Sequence, residues 1–196
     1  MKMKVTTRHG DFGLTDVHGK RISKTDLLME VIGELDTLMA QIIVCSAHDE
    51  TYRTDLIQIT EDLTTMCSYL AGYHNEVDFT PHLNWINERL TSLEIKDTQF
   101  RFVYPFTSIT AANYNLARTF ARTAERKCFM MAEQRGMDAN ALKYMNRLSD
   151  LFFISYICKV CLKIVNHTHY FCICTSVLRS LERTDSSCNC TVCVCS

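Results

Sequence analysis

The chain has 196 residues and a formal net charge of −1. That balance excludes a general nucleic-acid binder, which carries a strongly basic surface, and the length suits one domain with a real core. Only six Gly and two Pro punctuate it, which favours long helices over a many-turned β fold.

Residues 1–24 read as an ordered loop, with Gly10, Gly13 and Gly19 among polar neighbours. Either Ser23 or Thr25 is placed to cap the helix that follows. From Leu27, the apolar residues Leu28, Val31, Ile32, Leu35, Leu38, Met39, Ile42 and Ile43 recur with a 3.6-residue period that ends near Ala47. At about 1.5 Å per residue, this first helix is roughly 30 Å long. A second periodic segment covers about 52–73, through Leu56, Ile59, Leu63, Met66 and Leu70. A weaker third covers about 81–94, through Leu83, Ile86, Leu90 and Leu93. Residues 101–108 read as extended around Pro105.

The fourth helix is expected over about 110–134, stopped by Gly136. The fifth starts near Asp138 and carries Leu142, Met145, Leu148, Leu151, Phe152 and Ser155. Five amphipathic helices with modest loops make an all-α, up-and-down bundle of ferritin-like type. The bundle occupies 1–160, and 161–196 is a divergent Cys-rich extension.

The tail ends Cys188-Asn-Cys190-Thr-Val-Cys193-Val-Cys195, and with His167 and His169 it offers soft metal ligands. Cys-x-Cys spacing is not the paired Cys-x-x-Cys of a zinc knuckle, so a loosely ordered tail is the other reading and no metal site is assigned. No apolar targeting stretch follows Met1, and the most apolar segment, 151–165, is broken by Lys159 and Lys163. The expectation is a soluble cytoplasmic protein with reduced thiols and no membrane partner.

The most specific signal lies in the fourth and fifth helices. Arg118, Arg122 and Arg126 fall at i, i+4 and i+8 and line one helical stripe. Like charges at that spacing cost a helix roughly 0.2–0.5 kcal/mol per pair. Glu125 offsets part of this, and an anion lying along the stripe offsets the rest, because guanidinium forks match phosphate oxygens. A solvated surface is the ordinary alternative. Against it, the flanking Phe120, Ala121, Thr123 and Ala124 are small or apolar, and Asn146-Arg147-Leu148-Ser149-Asp150 follows within one short loop. Near the N-terminus, Thr7-Arg8-His9-Gly10-Asp11-Phe12-Gly13-Leu14-Thr15 has the glycines and hydroxyls of an anion nest, although Gly-Asp-x-Gly also makes ordinary turns.

Four separated blocks over residues 5–160 give the chain a resemblance to the PduO-type ATP:cob(I)alamin adenosyltransferases. They are the loop at 7–15 with Ser23-Lys24-Thr25-Asp26 behind it, Gly33-Glu34-Leu35-Asp36, Phe102-Val103-Tyr104-Pro105, and the arginine stripe with Asn146 and Asp150. The resemblance implies a five-helix bundle assembled as a homotrimer, with ATP and the corrinoid bound between subunits. It implies transfer of the 5′-deoxyadenosyl group of ATP to cob(I)alamin, with Mg²⁺ on the triphosphate and possible hand-over of the product to a cobalamin-dependent enzyme.

Residue by residue, the resemblance implies that Thr7, Arg8, His9, Gly10, Asp11, Gly13, Thr15, Lys24, Arg122, Arg126 and Asn146 hold ATP. It implies that Asp36 pairs with Arg118 of a neighbouring subunit, that Glu125 and Asp150 hold arginines in place, and that Phe102 packs on the corrin face. Arg118, Arg122, Glu125 and Asp36 form the expected catalytic set, with Phe102 and Asp150 on the corrinoid side. The chain departs from the pattern at His9, Met39, Phe106-Thr107 and Thr123, the last replacing an arginine. Loss of that cation weakens phosphate binding by about 1.5–3 kcal/mol. The alternative these departures raise is a paralogue that binds ATP and corrinoid without turnover, for storage or delivery.

Overall fold

The computed structural model describes residues 9–74, 76–93, 104 and 108–167, with side chains as far as 160. The first element is a hairpin, β1 (Leu14–Val17) against β2 (Lys20–Ser23), antiparallel with Leu14 opposite Ser23 and Val17 opposite Lys20. This corrects the expectation of a loop over 1–24. Its two-residue turn, His18-Gly19, has φ of 46° and 72°. Two positive φ values match the right-handed twist of the strands, and Gly19 adopts its value without strain.

Helix α1 (Leu27–His48) is capped by Asp26, whose carboxylate accepts from the Leu28 N–H at 2.8 Å. Neither Ser23 nor Thr25 is the cap. Their hydroxyls bond each other at 2.8 Å and the Ser23 oxygen accepts the Thr25 N–H, so both are spent on the turn before the helix. Helix α2 (Arg53–Leu70) stops three residues before the expected end at 73. Gly72 takes φ 80°, its N–H bonds Tyr69 O, and the Tyr73 N–H bonds Ser68 O. Those two bonds are a Schellman ending, which satisfies the last carbonyls of the helix.

Helix α3 (Thr80–Ser92) begins with Pro81 in its first turn, and the Asp78 carboxylate accepts the Thr80 N–H at 2.9 Å. Helix α4 (Ile109–Arg135) is capped by Ser108 and ends at Gly136, φ 78°. Helix α5 (Ala139–His167) is opened by Asp138, which accepts from the Asn140 and Ala141 N–H groups.

α1 packs against α2 and α4, α4 also against α5, and α5 also against α3. The central position of α4 follows from its sequence. Its buried face is Ala111, Ala117, Ala121 and Ala124 with Tyr114, Cys128 and Met131. Alanines let two neighbouring helices approach closely, while α1 supplies the bulk through Leu35, Leu38 and Ile42. Each such buried aliphatic side chain stabilises the fold by about 1.5–3 kcal/mol.

Two buried carboxylates tie the bundle. Asp62 of α2 accepts from Gln58 Nε2 (2.8 Å) and Tyr144 Oη (2.8 Å) and lies 2.7 Å from His82 Nδ1, joining α2, α3 and α5. Asp49, at the end of α1, accepts from Tyr114 Oη (2.9 Å) and Lys159 Nζ (2.8 Å), joining α1, α4 and α5. Burial and the facing carboxylate push the Tyr114 and Tyr144 hydroxyls well above the usual tyrosine range, so both stay protonated donors. Among the described residues no helix is long and apolar enough to cross a membrane.

Candidate functional site

α4 buries its alanine face, and this orientation turns Arg122 and Arg126 outward. They form one side of an open cleft of about 500 Å³. Glu125, Phe129, Met130 and Glu133 of α4 and Asn146 of α5 complete its lining. Asn146 Nδ2 donates to Glu125 Oε1 at 2.7 Å, bridging the two helices at the cleft edge. Arg126 Nη2 donates to Thr123 Oγ1 at 3.2 Å. Thr123 therefore replaces an expected cation with a hydroxyl that orients the next one.

Arg118 lies one turn before the cleft and is half-buried; its Nε and Nη2 donate to Asn115 Oδ1 at 3.1 and 2.9 Å. Burial and the nearby Arg122 charge lower its pKa from the usual arginine value. Asp150, one turn beyond Asn146 on α5, is pushed up by burial and by Glu125, with Arg122 and Arg147 opposing. Of the sequence-predicted residues, Arg122, Glu125, Arg126 and Asn146 line the cleft, while Arg118 and Asp150 lie a turn away from it on the same two helices. Sequence reasoning missed Phe129, Met130 and Glu133. The signal was present: they sit 7, 8 and 11 positions after Arg122, the spacing that keeps residues on one helical stripe.

The described part of the N-terminal loop does not line this cleft within one chain. Gly13 N–H bonds Gly10 O at 3.3 Å and Lys24 N–H bonds Gly13 O at 2.8 Å, closing a tight turn. Lys24 Nζ lies over Gly10, only 2.8 Å from where a Cβ would stand, so a side chain at position 10 would displace the ammonium. His9 and Asp11 are exposed, and Thr15 is half-buried in β1. None of these six lines the cleft. The segment is tied to two helices: Arg135 of α4 donates to both Asp26 oxygens at 2.8 and 2.9 Å, and His18 packs edge-on against Tyr73, just past the end of α2, 4.9 Å between ring centroids. The Arg135 guanidinium and the Leu28 N–H hold the Asp26 carboxyl below the usual carboxylate range.

Asp36 is exposed on α1, on the side where its charge helps raise the Cys67 thiol to about 11, after burial as the larger cause. Thr7, Arg8, Phe102, Phe106-Thr107, most of the extended stretch at 101–108 and the cysteine tail lie outside the described residues. Among the described residues no group of three His, Cys, Asp or Glu side chains is placed to hold a metal ion.

The fold and the cleft together define a helical bundle with a guanidinium-walled cleft between α4 and α5, edged by an amide–carboxylate bridge. The chain belongs to the cobalamin adenosyltransferase family, whose model matches residues 5–158. It is 32% identical to the corrinoid adenosyltransferase PduO of Salmonella typhimurium, over 77% of this chain and 48% of that protein. A corrinoid adenosyltransferase of Mycobacterium tuberculosis is also 32% identical, over 77% of this chain and 86% of the relative. The chain therefore spans about half the length of the PduO relatives it matches and most of the shorter ones. In fold, it is similar to a variant PduO-type ATP:corrinoid adenosyltransferase from Lactobacillus reuteri solved with cobalamin and ATP. The TM-score is 0.71 at 22% identity, over 80% of this chain and 90% of that one.

Proposed function

We propose that the chain is an ATP:corrinoid adenosyltransferase, moving the 5′-deoxyadenosyl group of ATP to cob(I)alamin. The observation that carries this is the cleft in which Arg122 and Arg126 stand beside the Asn146–Glu125 bridge, in a chain of this family. In the reaction the electron pair of cobalt(I) forms the bond to C5′, the C5′–oxygen bond breaks, and triphosphate leaves with the electron pair of that C–O bond. No side chain need act as nucleophile. The protein's work is alignment of the two substrates and stabilisation of charge on the departing triphosphate.

Arg122 and Arg126 take the triphosphate oxygens, with Thr123 holding Arg126 in place. Asn146, steadied by Glu125, orients the nucleotide. Asp150 holds Arg122 and Arg147. The loop residues Thr7, Arg8, His9, Gly10, Asp11, Gly13 and Thr15, with Lys24, are assigned to the ATP of a neighbouring subunit's cleft. None of the described loop residues lines the cleft of its own chain, which supports a site shared across a homotrimer, with Asp36 meeting Arg118 of the next copy. Phe102 is assigned to the corrin face. Among the described residues no carboxylate cluster is placed to hold Mg²⁺, and the ion is assigned to the nucleotide it accompanies. A strongly reducing corrin substrate argues for a cytoplasmic protein, delivering its product to a cobalamin-dependent enzyme.

An anaerobic assay with ATP, Mg²⁺ and chemically reduced cobalamin tests the proposal through the visible spectrum of the corrin. Adenosylcobalamin formation dependent on the protein is the expected result. Binding of both substrates without product would replace the enzyme by a storage or delivery protein.

A further inference from the structure

Arg118 is held differently from the other cations of the stripe. Its Nε and Nη2 both donate to one atom, Asn115 Oδ1, at 3.1 and 2.9 Å. Both residues are half-buried on α4, and their spacing of three puts them on one face of the helix. Two donors of a rigid fork on a single acceptor fix the plane of the guanidinium. With the Nε edge committed, the direction of the end-on edge, Nη1 and Nη2, is set by Asn115 rather than by rotamer choice.

Asn115 also counters a repulsion. Long helical side chains lean toward the N-terminus, so Arg122 leans over the turn that carries Arg118. The Arg122 charge is felt there: after burial, it is the next cause lowering the Arg118 pKa. The Asn115 oxygen, nearly one turn earlier, draws the Arg118 fork away from that charge. α5 bears on the same group. Burial raises the pKa of the Tyr156 hydroxyl, and the Arg118 charge works the other way. The fork therefore stands between an acceptor on its own helix and a fully buried tyrosine of α5.

We propose that Asn115 is a positioning residue: through Arg118, and without touching either substrate, it sets the geometry of the corrinoid half of the site. The inference rests on the proposed pairing of Arg118 with Asp36 of the next copy, and it adds the residue that aims the guanidinium at that pairing.

Steady-state kinetics on the full chain, with ATP and chemically reduced cobalamin varied in turn, tests this beside a thermal melt. Asn115→Ala is expected to raise the KM for cobalamin about tenfold or more, the loss that follows from removing a hydrogen bond to a charged group. The KM for ATP and the thermal midpoint are expected to stay unchanged. Asn115→Asp keeps the acceptor oxygen and is expected to restore the KM for cobalamin toward the wild-type value. In an Arg118→Ala background, Asn115→Ala is expected to have no further effect, because residues that act through one another are not additive. An unchanged KM in Asn115→Ala, with Arg118→Ala impaired, overturns the positioning role and leaves the Arg118 pairing standing. A rise in both KM values, or a lowered thermal midpoint, also overturns it, because Asn115 then supports the fold. Additive losses in the double variant overturn it as well, since Asn115 then acts apart from Arg118. Wild-type kinetics in Arg118→Ala overturn the pairing and this inference together.

Discussion

Three guanidinium groups spaced a turn apart on α4 repel one another. Their arrangement is explained by what each touches. Arg118 is engaged by Asn115 and half-buried, Arg126 by Thr123, and Arg122 faces the open cleft. Arg122 is therefore the cation with most to give a triphosphate. Arg122→Ala is expected to lower kcat at least about a hundredfold, the usual effect of removing one charge-stabilising donor. Because the side chain is exposed, the thermal midpoint should stay within about 0.5 kcal/mol of the wild-type stability. Steady-state kinetics beside a thermal melt checks both halves; a normal rate would remove Arg122 from the site.

The same scale predicts thiol chemistry. Burial pushes Cys45 and Cys67 up to about 11 and Cys128 up to about 12. The reactive form is the thiolate, so these three should resist alkylation in the native protein at neutral pH and react on unfolding. Site-resolved mass spectrometry after brief iodoacetamide treatment reads this directly, and rapid native labelling of Cys128 would contradict the packing of α4.

Among the elements, the hairpin and α3 depend most on a few polar contacts. Asp26 has its pKa lowered in the fold, so the contribution of its pair with Arg135 is present above the usual carboxylate value of 3.8 and lost only as pH falls below it. At neutral pH the contact is intact. Asp26→Asn keeps an acceptable helix cap but removes the ion pair. Hydrogen exchange should then quicken in 14–23 and stay unchanged along α1; equal protection in both variants would mean the hairpin is held otherwise. Asp62 is the sterner case. Asp62→Ala leaves the buried Tyr144 hydroxyl without its acceptor and should destabilise by about 2–3 kcal/mol. Tyr144→Phe should lose only about 1 kcal/mol. Urea titration should show a lower midpoint with an unchanged slope.

These elements also mark what the sequence discloses. The long helices were legible because their apolar residues repeat at 3.6 and because Asp138 and Gly136 mark ends; the Ser108 cap was not, since it was read as part of the extended stretch at 101–108. The hairpin was not, because four-residue strands are too short for alternation to stand out among glycines. Nothing in the sequence marked Asp62; its partners His82 and Tyr144 are 20 and 82 residues away, and only folding brings them near. In the cleft, the arginines announced themselves by charge. Phe129 and Met130 did not, since apolar residues on a helix are ordinarily read as core.

At the scale of the whole molecule, the loop closed by Lys24 over Gly10 and the arginine cleft occupy separate places on one chain. On the proposed reading these are two halves of one site, completed when copies associate. Exposed Asp36 is the proposed partner of Arg118 across that interface. Asp36→Asn is expected to loosen the trimer or raise the KM for the corrinoid, with the protomer fold intact. Sedimentation velocity across a concentration series, beside the kinetics, would detect either, and wild-type behaviour in both would end that assignment.

The most direct test of the account is a crystal structure of the protein soaked with ATP. It should place triphosphate oxygens about 2.7–2.9 Å from the guanidinium nitrogens of Arg122 and Arg126, the length of a charge-assisted hydrogen bond. Nucleotide bound elsewhere, with both side chains turned into solvent, would contradict it.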